Sequence, residues 1–455
     1  MGDARASLTS FKAYDIRGRI PGELDEGLVH DIARAYAAFV RPETVVVGRD
    51  IRLSSEAMAR AVCRGLNDSG VDVVDIGLCG TEQVYFATFH LELDGGIMIT
   101  ASHNPADYNG LKLVRHEARP ISSDTGLKEI ERLTVEKAFE PARGRGTTRA
   151  IDVREDYVRH ILGYVERGKL KPLTVVSNAG NGGAGMVIDR LEPHLPFRFV
   201  KVQHRPDGNF PNGIPNPLLP ENREVTADAV RKAGADLGIA WDGDFDRCFL
   251  FDENGAFIEG YYIVGLLAGG VLVRHPGARI VHDPRLTWNT IEIVSQGGGV
   301  PVQSKSGHAF MKEVMREQDA EYGGEMSAHH FFKEFSYCDS GMIPWLLTLD
   351  QMSATGKPLS ELVGERVERY PASGEINRRV SRPEAALRAA REAYEPLGGK
   401  IDTTDGIGVE FDRWRFNLRL SNTEPLIRLN VESRGDAALM ESKTREVLAL
   451  LEAPA

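Results

Sequence analysis

The chain alternates short apolar runs with longer amphipathic stretches, and three parts of it repeat this order. In the first part, a β-branched run at 44–47 precedes a helical pattern at 54–69, and further apolar runs follow at 71–76 and 96–100. Short apolar runs bounded by polar residues predict buried strands. Strands that alternate with helices predict parallel or mixed sheets, so this part is predicted to be an α/β domain.

The second and third parts follow the same order of elements. The second has its predicted elements at 173–177, 185–191, 198–202 and 237–241. The third has them at 279–282, 288–296, 301–304 and 321–323. Each part ends in a polar loop, at 101–105, 242–247 and 324–329. Ligands collect at the carboxyl ends of strands in such sheets, so we expect these three loops to carry the function.

The tail of the chain has a different pattern. Strand-like runs at 375–380, 406–411, 414–420 and 426–433 are bracketed by helical patterns at 383–396 and 437–452. We therefore predict an α/β protein: three similar α/β domains with mixed sheets, plus a C-terminal α+β domain. The predicted domain bounds are 1–145, 146–254, 255–368 and 369–455, with linkers near 140–150, 253–256 and 365–374.

Composition narrows the class of protein. The 455 residues carry 55 Lys+Arg and 66 Asp+Glu, a net charge of −11, which argues against non-specific nucleic-acid binding. Four separated cysteines make neither a CxxC zinc motif nor a disulfide scaffold. The longest apolar stretch, 263–273, is shorter than the roughly 20 residues of a membrane span, and the N-terminal residues lack the apolar run of a signal peptide. We expect a soluble, cytoplasmic protein without a membrane partner.

The first candidate loop contains Ser102 and His103 in the string TASHNP. A serine at a strand end suits a nucleophile, and the neighbouring histidine could exchange protons. Serine is also common in plain turns. The chain has no G-x-S-x-G string, which disfavours an esterase-type serine.

The second candidate loop places Asp242, Asp244 and Asp246 at alternate positions, followed by Arg247. Alternation predicts that the three carboxylates lie on one side of an extended loop, where a hard divalent cation would relieve their repulsion. An EF-hand is excluded because Arg247 stands where that loop requires glycine. A solvated acidic turn remains the alternative.

Other polar strings are less specific on their own. The match to GxGxxG at 180–185 lacks the acidic residue of a dinucleotide fold at the end of the next strand, so it predicts a tight turn. Glu325, Ser327 and His329 alternate and suit sugar hydroxyls, and His308 is a further candidate proton carrier. The string RLSNTEP, which begins at Arg419, offers phosphate donors or forms a simple hairpin turn.

Taken together, the strings resemble the α-D-phosphohexomutase superfamily. FKAYDIRG, TASHNP, DGDFDR, GEMSAHH and RLSNTEP occur in the order and rough spacing of that family, over nearly the whole chain. IPNPLLPE, HDPRLTWN and YCDSGMIPWLL are most similar to bacterial members that act on mannose phosphates in the GDP-mannose pathway. The resemblance implies three α/β domains around a central cleft and a flexible C-terminal domain, with a hinge that we place near 365–374.

The resemblance also implies roles for individual residues. The phosphoserine of the family falls on Ser102, and its Mg²⁺ ligands fall on Asp242, Asp244 and Asp246 with a phosphoserine oxygen. The residues implied around the transferred phosphoryl group are Arg17, His103, Asn104, Lys112 and Arg247. His308, which the resemblance does not add, stays a further candidate proton carrier. Residues implied in substrate binding are Arg17, Asn104, Arg285, Glu325, Ser327, His329, Arg419, Ser421, Asn422 and Thr423.

The implied reaction interconverts mannose 6-phosphate and mannose 1-phosphate through a bound hexose 1,6-bisphosphate. Arg285 stands where many members have lysine, and the string GEMS differs from the GEQS of phosphoglucosamine mutases, which disfavours an amino sugar. A phosphoglucomutase or dual-specificity enzyme, a Mg²⁺-dependent phosphatase and a non-catalytic sugar-phosphate sensor remain alternatives. The sequence leaves open whether the protein is a monomer or a homodimer.

Overall fold

The computed structural model describes residues 8–139, 142, 144–380, 382–420 and 426–452. The chain divides into two compact units. The first comprises Met1–Phe257 with Glu334–Ala354, and the second comprises Ile258–Lys333 with Thr355–Ala455. Among the described residues, no helix is long and apolar enough to cross a membrane.

The first sheet of the first unit has the strand order β1-β5-β4-β2-β3-β7, with β6 beside β5. Its strands are β1 (Ile16–Arg19), β2 (Thr44–Arg49), β3 (Asp72–Leu78), β4 (Gly95–Ile99), β5 (Tyr108–Arg115), β6 (Arg119–Pro120) and β7 (Thr148–Ala150). Its helices are α1 (Glu26–Val40), α2 (Ser55–Asp68), α3 (Thr81–His90) and α4 (Lys128–Glu136). Strand β2 runs parallel to β3 and β4, and β5 runs antiparallel to β1 and β4. The sheet is therefore mixed.

The second sheet of this unit has the strand order β12-β11-β10-β8-β9. Its strands are β8 (Thr174–Asn178), β9 (Arg198–Val202), β10 (Leu237–Trp241), β11 (Cys248–Phe251) and β12 (Phe257–Ile258). Its helices are α5 (Arg154–Leu162), α6 (Ala184–Leu191) and α7 (Glu224–Ala233). Strand β8 runs parallel to β9 and β10, whereas β10 and β11 are antiparallel. The acidic loop 242–247 connects these last two strands.

In the second unit, the third sheet includes β13 (Arg279–His282), β14 (Val300–Gln303), β15 (Tyr322–Gly324) and β16 (His330–Phe332), in the order β14-β13-β15-β16. Its helices are α8 (Gly260–Arg274), α9 (Trp288–Gln296) and α10 (His308–Gln318). The segment 334–354 belongs to the first unit and carries β17 (Cys338–Asp339) and most of α11 (Ile343–Thr355).

The C-terminal sheet, also in the second unit, is antiparallel with the strand order β18-β22-β21-β20-β19. After α12 (Leu359–Arg369), its strands are β18 (Ile376–Arg379), β19 (Lys400–Asp402), β20 (Ile407–Glu410), β21 (Trp414–Leu420) and β22 (Leu426–Ser433). Helices α13 (Pro383–Tyr394) and α14 (Ala437–Glu452) accompany it. Short 3₁₀ or π turns lie at His116–Ala118, Ser123–Leu127, Arg167–Lys169, Glu192–His194, Pro220–Asn222, Lys333–Phe335 and Glu395–Leu397.

The apolar runs that form the strands show where the core lies. Val45, Val46 and Val47 on β2 are all fully buried, as expected for a parallel strand that is covered on both faces. Helix α1 begins where the Asp25 carboxylate accepts a hydrogen bond from the Leu28 amide at 2.8 Å. The predicted four-part α/β organisation with mixed sheets is therefore confirmed, while the predicted domain bounds stay predictions.

The predicted linkers need correction. Residues 148–150 form strand β7, which pairs with β3, and residues 253–256 form the turn of the β11–β12 hairpin. Helix α12 occupies the predicted linker as far as Arg369. Polar composition misled the prediction at 148–150, because backbone hydrogen bonds at a sheet edge require no apolar side chains.

A buried carboxylate joins three segments of the first unit. Glu82, in the first turn of α3, accepts hydrogen bonds from the Tyr157 hydroxyl on α5 and the Ser340 hydroxyl at 3.1 Å. It also accepts from the Gly341 amide, shortly before α11. Burial raises the pKa of Glu82 from 4.5 to about 8, against the opposing effect of these donors.

Glu82→Gln should therefore change how stability depends on pH. A group with a raised folded-state pKa stabilises the fold below its unfolded pKa, and this contribution is lost as pH rises toward 8. A tenfold difference in proton affinity between the folded and unfolded chain is worth about 1.4 kcal/mol. Between pH 5.5 and 8 the wild-type melting temperature should fall relative to that of Glu82→Gln, as measured by calorimetry. Glu166→Gln, an exposed control, should follow wild type, and parallel profiles for all three proteins would contradict the assignment.

Candidate active site

The predicted nucleophile lies just beyond the carboxyl end of β4. Ser102 is 3% exposed, and its φ of 49° lies in the left-handed region that non-glycine residues rarely adopt. Its Oγ donates a hydrogen bond to Asp242 Oδ2 at 2.7 Å and lies 2.9 Å from His103 Nδ1. The hydroxyl is therefore aimed at the acidic loop and not at bulk solvent.

The acidic loop follows β10 and brings its three carboxylates together. Asp242, Asp244 and Asp246 are buried, and one oxygen from each lies within 4.8 Å of the others. The prediction of an extended loop was wrong, because residues 243–244 form a turn and Phe245 has a φ of 47°. The turn nevertheless gathers the carboxylates on one side.

Two cations offset this negative charge. Lys112 Nζ on β5 donates to Asp244 Oδ2 at 2.8 Å and also to Asp246. Arg247 Nε donates to Asp242 Oδ2 at 2.8 Å. Burial alone would raise the pKa of Asp244, but Lys112 holds that pKa well below its ordinary value.

The pKa values of Asp242 and Lys112 reflect the close packing of charged groups in this loop. Burial raises the pKa of Asp242 to about 6, which Arg247 opposes and the neighbouring carboxylates reinforce. Burial also tends to lower the pKa of Lys112, yet Asp244 and Asp246 raise it above its ordinary value. Lys112 therefore acts as a fixed positive charge in this structure.

The carboxylates fit a divalent cation. Asp244 Oδ1 is buried and finds no hydrogen-bond donor among the residues that the structure describes. A cluster of carboxylate oxygens that includes such an orphan acceptor is the donor set that a hard cation binds. Asp242, Asp244 and Asp246 can therefore hold a metal ion, with the Ser102 hydroxyl beside them.

Sequence reasoning missed a residue that fixes the acidic loop. Thr81, the first residue of α3, donates from Oγ1 to Asp244 Oδ2 at 2.6 Å and from its amide to the Asp244 carbonyl at 3.1 Å. Next to it, a Cβ on Gly80 would lie 2.2 Å from the Phe245 ring. No local pattern indicates these contacts, because they join residues about 160 positions apart.

His103 lies between Ser102 and two arginines. Arg247 Nη2 is 2.7 Å from His103 Nδ1. Because a guanidinium has no acceptor, Nδ1 must accept this hydrogen bond, so the imidazole is neutral. Burial, followed by the charges of Arg247 and Arg17, lowers the pKa of His103 well below its ordinary value. Arg17 Nη1 in turn donates to Asn104 Oδ1 at 2.6 Å.

A separate polar cluster lies in the second unit. Arg285 Nη2 donates to Asp283 Oδ2 at 2.7 Å and to Ser327 Oγ at 3.1 Å. Glu325 Oε1 accepts from the Gly307 amide at 2.7 Å, and Glu325 Oε2 lies 3.2 Å from His329 Nδ1. Burial would raise the pKa of Glu325, but His329 and Arg285 lower it. These side chains can present both donors and acceptors to a polyhydroxylated ligand.

The two predicted histidines and Arg419, the first residue of the predicted phosphate loop, also lie in this unit. The rings of His308 and His329 are 6.1 Å apart. Arg419 Nη2 donates to Glu375 Oε2 at 2.9 Å, and Arg285 Nη1 reaches the same oxygen at 3.3 Å. Glu375 was not predicted, since a single acidic residue near a strand start forms no motif. Ser421, Asn422 and Thr423 lie outside the described residues.

Comparison with known proteins identifies the family. The chain matches four family descriptions in order: phosphoglucomutase/phosphomannomutase alpha/beta/alpha domain I at 8–141, domain II at 155–255, domain III at 259–370 and the C-terminal domain at 375–449. A phosphomannomutase from Escherichia coli is 60% identical over 453 residues, covering 98% of this chain and 99% of that protein. A Xanthomonas campestris protein described as "Phosphohexose mutases" is 60% identical over 448 residues, with coverage of 98% and 99%.

A solved structure agrees. The crystal structure of a phosphoglucomutase/phosphomannomutase family protein from Burkholderia thailandensis has a TM-score of 0.88 and 34% identity, and covers 99% of each chain. The predicted resemblance is confirmed by these matches. The chain therefore belongs to the phosphoglucomutase/phosphomannomutase family of the α-D-phosphohexomutases.

Proposed function

We propose that this protein is a phosphomannomutase that interconverts mannose 6-phosphate and mannose 1-phosphate. The observation that carries the proposal is the Ser102 hydroxyl, buried and hydrogen-bonded at 2.7 Å to one of three clustered carboxylates. The E. coli relative that is 60% identical supports mannose as the sugar. The product would feed GDP-mannose synthesis, and we expect the protein to act in the cytoplasm.

The reaction is a phosphoryl transfer by way of Ser102. Phospho-Ser102 donates its phosphoryl group to the free hydroxyl of the substrate: the phosphorus–Oγ bond breaks, a phosphorus–oxygen bond to the sugar forms, and the hydroxyl proton passes through a base to the departing Ser102 Oγ. The resulting hexose 1,6-bisphosphate then reorients in the site and returns its other phosphoryl group to Ser102. A mutase must keep this intermediate and exclude water.

Asp242, Asp244 and Asp246, with a phosphoserine oxygen, would hold Mg²⁺. Bound there, Mg²⁺ supplies positive charge that stabilises the transferring phosphoryl oxygens. Lys112 and Arg247 line the same loop and would contribute further positive charge. Thr81 keeps Asp244 oriented, since its hydroxyl and amide both bond to that residue.

Lys112 and His103 are the two leading candidates for the proton acceptor, and each would have to give up a hydrogen bond, which for His103 is the one that its Nδ1 accepts from Arg247. His103 Nδ1 lies 2.9 Å from Ser102 Oγ, and the contact with Arg247 requires a neutral ring. Lys112, the other leading candidate, already donates to two carboxylates and would have to give up those bonds to accept a proton. His308 remains the third candidate.

The second unit would recognise the sugar and its other phosphate. Glu325, Ser327 and His329 suit neighbouring hydroxyls of the sugar ring, and Arg285 is held to that cluster through Ser327. Arg419 would bind the phosphate that is not being transferred, together with Ser421, Asn422 and Thr423. Arg17 and Asn104, in the first unit, would contact the reacting phosphoryl group.

A dual-specificity hexose phosphate mutase is the second candidate. Mannose and glucose phosphates differ only in configuration at C2, and the X. campestris relative is described by the broader term "Phosphohexose mutases". The ratio of kcat/KM for the two sugar 1-phosphates distinguishes the candidates.

The assay that tests the function supplies Mg²⁺, mannose 1-phosphate and a trace of hexose 1,6-bisphosphate, and couples mannose 6-phosphate to a detectable product. Wild type should turn over, and Ser102→Ala should lose at least about a thousandfold in kcat because the phosphoryl carrier is gone. Ser123→Ala, at a half-buried serine in the same sheet domain, is the matched control. Release of inorganic phosphate without isomerisation would sink the proposal and favour a phosphatase.

Asp244→Asn should weaken the response to Mg²⁺. Outer-shell changes at metal sites cost about 10–100-fold in affinity, so loss of a direct ligand should raise half-saturating Mg²⁺ at least about tenfold. Titration of activity against Mg²⁺ measures this. Asp228→Asn, which removes a surface carboxylate paired with Lys232, should leave the titration unchanged. An unaltered titration for Asp244→Asn would remove that residue from the metal site.

Glu375→Gln should strengthen phosphate binding in the second unit. Burial would raise the pKa of Glu375, but Arg285, Arg419 and Arg428 lower it. An ionised carboxylate therefore neutralises three arginines. Loss of the Glu375 charge leaves the positive charge of these arginines unneutralised, so they should bind an anion more tightly. Added inorganic phosphate should therefore raise the melting temperature of Glu375→Gln more than that of wild type or of the exposed control Glu361→Gln. Equal shifts in the three proteins would contradict this.

A further inference from the structure

In the loop that carries Ser102, the backbone of Ser102 itself has an unfavourable conformation. A left-handed φ on a non-glycine residue is unfavourable and persists only where the surroundings hold it. Ser102 has such a φ, and a Cβ on the facing Gly243 would lie 2.7 Å from the Ser102 carbonyl oxygen. Close contact with Gly243 therefore prevents the Ser102 loop from moving toward the acidic turn. The loop must also be held by contacts on the side that faces away from this turn.

Arg52, in the loop after β2, holds that other side. Its Nη2 donates to the carbonyl of Ser102 at 2.9 Å and to that of Asn104 at 2.6 Å. Its Nη1 donates to the carbonyls of Pro105 at 2.7 Å and Tyr108 at 2.9 Å. One guanidinium thus bonds to four carbonyls spread over the whole turn between β4 and β5.

Arg52 is itself held rigidly. Its side chain is 1% exposed, and its Nε lies 3.4 Å from Asp50 Oδ2. Asp50 also accepts from the Arg52 amide at 2.9 Å, and the Ser55 hydroxyl donates to the same carboxylate. The guanidinium carbon lies 5.3 Å from the centre of the Phe210 ring. A planar fork fixed in this way has little freedom left to lose when it binds the loop.

We propose that Arg52 is the positioning residue that sets the backbone of Ser102 and so aims its Oγ at Asp242. This inference rests on the proposed function, because it concerns the phosphoryl carrier. Arg52 touches carbonyl oxygens of the loop and not the Ser102 hydroxyl, so it acts through the backbone. Its loss should therefore slow phosphoryl transfer while leaving binding of the sugar phosphate nearly unchanged.

Lysine cannot replace this arginine. An ammonium carries three donors on one atom, whereas the four carbonyls are reached by two separate nitrogens of a flat fork. Arg52→Lys keeps the charge beside Asp50 and removes only the fork. It therefore separates the geometric role of Arg52 from its electrostatic role.

The test compares wild type, Arg52→Lys and the control Arg60→Lys, which alters an exposed arginine on the neighbouring helix α2. Single-turnover phosphorylation of Ser102 by glucose 1,6-bisphosphate is followed by intact mass, and kcat and KM are measured for mannose 1-phosphate. Misplacement of a reacting group by about 1 Å costs about 100-fold, so we expect a 10–100-fold loss in kcat and phosphorylation rate with KM changed less than about threefold. Arg60→Lys should match wild type.

Two further measurements separate a positioning effect from a loss of folding. Circular dichroism and the melting temperature report the folded fraction of each variant. Asp50→Asn keeps Arg52 but loosens its side chain, so it should lower kcat less than Arg52→Lys does. Rates for Arg52→Lys equal to those of wild type, or a loss fully explained by unfolded protein, would overturn the inference. If wild type itself takes up no phosphate on Ser102, the proposed function is contradicted, and the role of Arg52 that rests on it is contradicted too.

Discussion

The structure depends on one electrostatic constraint: three carboxylates and a serine hydroxyl share a buried volume only a few ångströms across. Like charges at such separations repel strongly when water is excluded. The site is stable only because cations are built into it. Lys112 spans Asp244 and Asp246, and Arg247 binds Asp242, so each carboxylate has a positive partner in the first unit. A phosphoryl group on Ser102 would add negative charge, and the orphan oxygen of Asp244 suits the metal that would offset it.

The mixed sheets explain how the chain assembles this set from distant positions. Ser102 follows β4 and the acidic loop follows β10, while Lys112 lies on β5, the antiparallel neighbour of β4. A loop placed at the end of a buried strand can carry strained or charged residues because the strand below it is rigid. The N-terminus of α3 adds Thr81 to Asp244, and Arg52 adds four bonds to the Ser102 loop. Rigid support therefore reaches Ser102 and the acidic turn from different elements of the fold.

The sequence predicted the repeating α/β organisation well, because strand-like runs such as 198–202, 237–241 and 414–420 become strands with those bounds. It failed for short polar strands such as Thr148–Ala150, whose pairing depends on an available sheet edge and not on side chains. Candidate residues that belong to strings, such as Ser102 and Asp242, could be predicted, and the structure places these two in contact. Thr81, Arg52 and Glu375 were not, because their importance arises only when residues far apart in the chain meet.

The most direct test of the central claim is to find the phosphoryl group itself. Wild-type protein is incubated with glucose 1,6-bisphosphate and Mg²⁺ and then divided. One half is digested and mapped by mass spectrometry, and the other half is kept intact and chased with mannose 1-phosphate. The account predicts phosphate on Ser102, none on the other serines, and its transfer to sugar bisphosphate during the chase. Phosphate on another residue, or an unmodified Ser102 in protein that still isomerises the sugar, would contradict it.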